Sequence, residues 1–218
     1  KDKVSSSYSL ENMMDALSNS IGSECGSWSA KNWAKDKEVL IVGSGPSVGK
    51  YINEIEQYIE TNNPIVLCLN INQDFPESLV DAYITCHETR IAIELDLYTD
   101  LTKPIILPMS RIPRKISGIL SNVEILDYGL KIEKGSLSVQ DNGCILDKPL
   151  VLIYALSLLS VSDAEKISLT GIDGYEDQSP KQKELNKAFV QFQENNRGIN
   201  LMAITPTNLP INTAFICD

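Results

Sequence analysis

Histidine is nearly missing from this sequence: His87 is the only one in 218 residues. No two cysteines form a Cys-x-x-Cys pair, so a Cys/His zinc site is not expected, nor any other bound metal. The five cysteines (Cys25, Cys68, Cys86, Cys144 and Cys217) are odd in number and irregular in spacing. That argues against a disulfide framework and for reduced thiols in a cytoplasmic protein. Basic blocks are lacking as well. With 29 acidic and 19 basic residues the formal charge is −10, and such a chain repels phosphate backbones, so nucleic acid is not an expected partner. No apolar run reaches the roughly 18 residues of a membrane span, and no secretory signal opens the chain. Internal repeats and low-complexity tracts are absent.

What is present has the rhythm of an α/β protein. Residues 1–35 are rich in Ser and Asn and read as a linker with an accessory helix near Leu10–Leu17. The chain opens on Lys1, the look of a domain cut from a longer protein with a further domain fused in front. From residue 36 to 218 the text becomes that of one domain. Short apolar runs at Val39–Val42, Ile65–Leu69, Ala82–Cys86, Ile105–Pro108, Val123–Leu126, Lys166–Gly171 and Leu201–Ile204 read as buried parallel strands. Between them, Val48, Ile52, Ile55 and Ile59 mark one helical stripe. Pro149–Leu159 reads as a buried helix, and Lys181–Glu194 as a helix with Leu185, Phe189 and Phe192 inward. The alternation predicts a Rossmann-like three-layer sandwich with a mostly parallel central sheet. In such folds ligands bind beyond the carboxyl ends of the strands.

One of those ends is Gly43-Ser44-Gly45-Pro46-Ser47, which leaves the first strand and enters a helix. Glycines permit a tight turn and close approach of a ligand, exposed amides at a helix start attract an anion, and Ser47 can cap the helix. Two known phosphate loops nearly fit. A Walker A loop has four residues between its glycines and Gly-Lys-Ser/Thr. Here Gly43 and Gly49 are separated by five, and Lys50 precedes Tyr51, which has no aliphatic hydroxyl for magnesium. A dinucleotide fold wants an acidic residue ending its second strand, where this chain has Asn70-Ile71-Asn72.

With these residues placed, the chain resembles the bacterial sialyltransferases that use CMP-sialic acid. It also resembles the wider superfamily of CMP-sugar transferases and pterin-pyrophosphokinase-like domains. The matching pieces, in order from about residue 38 to 210, are Ile41–Ser47, Cys68-Leu69-Asn70, Ile167–Tyr175 and Leu201–Asn208. The resemblance implies that Gly43, Ser44, Gly45, Pro46 and Ser47 wrap the nucleotide, and that Asn70 contacts nucleotide or sugar. Asp173 would sit near the ribose, and Tyr175 would steady the departing phosphate. The family's late catalytic histidine and second phosphate-binding tyrosine have no counterpart; Lys181 or Lys183 is the available substitute for the latter, and neither matches the motif.

His87, at the carboxyl end of a strand, is read as a general base or as a structural histidine, and Arg90 as the partner of a sugar carboxylate or of Glu88 or Glu94 in a surface ion pair. Arg111, Arg114 and Lys115 form the one basic cluster, read as a solvated loop or as a steering patch for an anion. The expected function is transfer of a sialic acid- or Kdo-like sugar from a CMP-linked donor to a glycan or sugar acceptor, including one at a membrane surface. No cofactor is expected beyond the CMP-sugar donor itself. Two other readings stand beside it. One is a non-catalytic nucleotide-binding module fused to an aldolase-like enzyme; the other is a pterin pyrophosphokinase-like transferase.

Overall fold

The computed structural model describes residues 22–216, so the Leu10–Leu17 helix and Cys217 lie outside the described residues. Glu38–Val42 forms β1, and a loop leads into α1 (Ser47–Lys50), α2 (Ile52–Asn62) and β2 (Ile65–Leu69). β3 (Ala82–Ile84), α3 (Glu88–Ile93), α4 (Leu95–Thr99), β4 (Ile105–Leu107), α5 (Arg114–Ile119) and β5 (Ile125–Asp127) follow. Next come β6 (Gly129–Ile132), β7 (Leu137–Gln140), β8 (Gly143–Leu146), α6 (Val151–Leu159), β9 (Lys166–Thr170), α7 (Pro180–Asn195) and β10 (Leu201–Ala203).

Seven strands pair in the order β10-β9-β1-β2-β3-β4-β5, every pair parallel. The expected Rossmann-like three-layer sandwich is the observed one. The strands are mostly apolar because both sheet faces are covered, with Ser168 and Thr170 of β9 as buried polar exceptions. Along β1 the pleat sends alternate residues to opposite cores. Val39 and Ile41 pack with α6, α7 and a small sheet, whereas Leu40 and Val42 pack with Val48, Ile55, Ile91 and Ile116. Each such aliphatic side chain, fully buried, contributes about 1.5–3 kcal/mol. From β1 the chain steps outward to β5, then returns to β1's other side as β9. The order therefore reverses between β1 and β9, and their carboxyl ends part to leave a crevice.

Three features differ from the expectation. The helical stripe from Val48 to Ile59 is two helices, because Tyr51 leaves helical geometry at φ −118° and ψ 28°. Residues 129–146, unassigned from sequence, form a second sheet ordered β6-β8-β7, with its one antiparallel pair between β7 and β8. Residues 22–35 are packed onto that sheet. The amides of Gly26 and Ala30 donate to the carbonyls of Asn142 and Asp141, and Trp28 donates to Asp127. Gly26, Gly129 and Gly143 meet at this crossing, where any Cβ would strike the backbone of the opposing segment.

Candidate functional site

At the β1/β9 reversal lies a cleft of about 400 Å3. Its walls include Gly43, Ser44, Gly45, Pro46, Asn70, His87, Arg90, Asp173 and Tyr175. The expected site residues thus share one cavity, with the exception of Ser47, which is buried behind it.

The glycine loop is held by hydrogen bonds from within the protein itself. Gly43 donates its amide to the Thr170 carbonyl and Gly45 donates to Gly171, both at 2.8 Å. Asn72 donates its side-chain amide to the Gly43 carbonyl at 3.1 Å. Pro46, not Ser47, occupies the cap position of α1, and its side chain makes no capping bond. Instead the Asp173 carboxylate accepts the Ser47 amide at 2.8 Å and the Ser47 hydroxyl as well. Thr205 completes this buried knot with bonds to the Ser47 hydroxyl and the Gly171 amide. Ser44 alone among the loop's backbone N–H groups makes no bond within the described residues, and its side chain is exposed. The glycines accordingly serve close packing of two loops: a Cβ on Gly45 would stand 2.7 Å from both the Gly171 carbonyl and the Asp173 carboxyl carbon.

On the β2 side, Asn70 sits in the left-handed region at φ 60°, which asparagine tolerates better than most residues. It is buried, its Oδ1 accepts the Thr85 hydroxyl at 2.7 Å, and its amide NH2 is left for the cleft. His87 is half-buried at the start of α3. Burial pushes its pKa below 6.5; Glu88 opposes that shift, and Arg111 and Arg90 reinforce it. A neutral imidazole can accept a proton. Arg90 gives its Nε to Glu94 at 2.8 Å, an i,i+4 pair along the helix.

The third wall is the turn Ile172–Tyr175. Gln182, buried on α7, accepts the Tyr175 amide at 2.6 Å and donates to the Asn208 carbonyl at 3.1 Å. Asn208 in turn donates to the Tyr175 carbonyl at 3.0 Å. Tyr175 is thereby held at the rim with its ring exposed, and the Lys181 ammonium stands 5.7 Å from the ring centroid. Lys183 lines a different cavity.

Sequence reasoning missed the framing roles of Asn72, Gln182 and Asn208, and the apolar wall formed by Leu150, Val151, Leu152 and Leu185. The Ser179-x-x-Gln182 spacing before an apolar helix was one available signal. Ser179 does accept the Gln182 amide at 3.1 Å, while the Gln182 side chain turns to Tyr175 instead of back to the cap. The basic cluster is a correction. Arg111 is buried and paired with Glu88 at 2.8 Å, so it is no part of a solvated steering patch, whereas Arg114 and Lys115 are exposed. No helix among the described residues is long and apolar enough to cross a membrane.

No protein-family model matches this sequence, and no curated protein matches it.

Proposed function

We propose that this chain is a glycosyltransferase that binds a CMP-linked sugar acid in the β1/β9 cleft and passes the sugar to an acceptor hydroxyl. The observation that carries the reading is the composition of that cleft. A neutral imidazole, a guanidinium, an asparagine amide and a tyrosine flanked by lysine line it together at the strand-order reversal. Such convergence of few polar groups on an apolar wall is the usual form of a ligand site.

In this mechanism the nucleotide lies against Gly43–Pro46 and the Asn70 amide. The Ser44 N–H, the Tyr175 hydroxyl and the Lys181 ammonium face the phosphate. As the acceptor oxygen bonds to the anomeric carbon, the bond from that carbon to the phosphate oxygen breaks. CMP leaves with the electron pair, and His87 takes the acceptor's proton. Lys181 and Tyr175 stabilise the charge that grows on the phosphate.

The test has two readouts. A thermal-shift series of CMP, CDP, UDP, ADP and NAD asks which nucleotide binds; at 100 times its Kd a ligand adds about 2.7 kcal/mol. CMP release from a CMP-linked sugar acid, with a sugar acceptor present, asks for turnover. Preference for cytidine nucleotides together with acceptor-dependent CMP release would support the proposal. Stabilisation by adenine nucleotides alone, with AMP formed from ATP, would replace it with pyrophosphoryl transfer. Cytidine binding without turnover would leave a binding module.

A further inference from the structure

We infer that a second cavity, between the small sheet and α7, binds a compact molecule with an apolar body and one anionic head. The cavity measures about 280 Å3, close to the lower end of ligand pockets, about 300 Å3. Its floor is apolar: Leu137, Leu146, Ile153 and Ala188, all packed against the main core. Its three lysines stand in two states. Lys148 is neutralised by Glu184 at 2.8 Å. Lys183 and Lys187, one helical turn apart on α7, are exposed, and neither has a carboxylate partner among the described residues. Asp147, the lining's other carboxylate, accepts the Gly135 amide at 2.6 Å. Three lysines against two carboxylates leave one net positive charge over the apolar hollow, and that charge sets the chemistry of the occupant. The hollow takes rings or an acyl chain, and the lysines take a carboxylate, sulfonate or phosphate.

The site is separate from the glycine-loop cleft, although Leu150 lines both. The inference does not depend on the glycosyltransferase reading.

Two probes that share one ring system separate the two halves of the site. Anilinonaphthalene sulfonate carries the anionic head; N-phenylnaphthylamine lacks it. Fluorescence titration of the full chain should show saturable binding of both, with the sulfonate about tenfold tighter. In the Lys183→Glu/Lys187→Glu double variant the sulfonate should lose about tenfold in affinity, equivalent to about 1.4 kcal/mol, and the neutral probe should change little. Ala188→Phe, which fills the floor without altering charge, should abolish binding of both. Both lysines are exposed, so the double variant should keep the wild-type melting temperature and isolates the charge effect if Ala188→Phe perturbs the fold. Equal affinity of the two probes for the wild type would overturn the anionic-head assignment, as would an unchanged sulfonate affinity in the double variant. Binding that persists in a folded Ala188→Phe chain would show that the probes sit elsewhere and overturn the site.

Discussion

Asp173 and Ser47 are joined across 126 residues of sequence, the carboxylate of one accepting the amide of the other at 2.8 Å. A phosphate at the start of α1 would compete for that amide; here the protein supplies the anion itself. The helix start is held by an acidic side chain from the far side of the cleft, so the two walls are one mechanical unit.

Asp173→Ala should therefore act first on stability. It leaves the buried Ser47 hydroxyl with Thr205 alone and removes the partner of an N–H group, a loss of about 1–3 kcal/mol. Chemical denaturation measures it, and an unchanged midpoint would mean that the knot carries no net energy.

Gly45 and Gly49 make a matched pair. Gly45→Ala places a methyl group 2.7 Å from the Gly171 carbonyl, whereas nothing lies within 4 Å of a Cβ at Gly49. The first should destabilise by about 1–3 kcal/mol. The second, at an exposed helical position, should stabilise by up to about 1 kcal/mol. Equal melting temperatures for the two variants would contradict the packing role of Gly45.

His87 is the chain's only imidazole, so its titration is a single NMR signal. Burial favours the neutral form, and the midpoint should fall below 6.5. As pH drops through 6.5 the unfolded chain takes up a proton that the folded one resists, so this group's effect on stability turns unfavourable there. If His87 is the base, turnover should hold steady down to about pH 6.5 and decline only below it. His87→Ala should lower turnover by roughly 10²–10⁴. A midpoint above 6.5 would contradict the dominance of burial at this site, and normal turnover in the alanine variant would remove the imidazole from the role of base.

Gln182→Leu removes the acceptor of the Tyr175 amide and the donor to Asn208. Amide hydrogen exchange at Tyr175 should accelerate by one to two orders of magnitude, in keeping with a loss of about 1–3 kcal/mol. Exchange that stays slow would show that Asn208 alone holds the turn.

All seven central strands were legible, most of them because burial on both faces leaves apolar runs such as Val39–Val42; β9 was legible by its alternating Ile167 and Leu169 before Gly171. The small sheet was not. Gly129 and Gly143 begin two of its strands, a composition that reads as turn. The rule that ligands bind beyond the carboxyl ends of parallel strands singled out Gly43–Pro46, Asn70, His87 and Asp173 from sequence, and the strand-order reversal between β1 and β9 is what brings them into one cleft. The pairing of Asp173 with Ser47 was not legible, since no local pattern links residues 126 positions apart. Nor was the burial of Arg111, whose charge alone reads as exposed until Glu88 is found beside it.

The placement of β1 in the middle of the sheet has a consequence for biosynthesis. β1 emerges from the ribosome well before its neighbour β9, which begins only at Lys166. Until then one edge of Glu38–Val42 stays open, an apolar row of backbone donors and acceptors able to recruit another chain. A fragment ending at residue 165 should accordingly self-associate and bind no cleft ligand, a pairing that light scattering and thermal shift can both read. A monomeric fragment would mean that something else shields that edge. The cleft between β1 and β9 can therefore take shape only once the residues from Lys166 onward have been made.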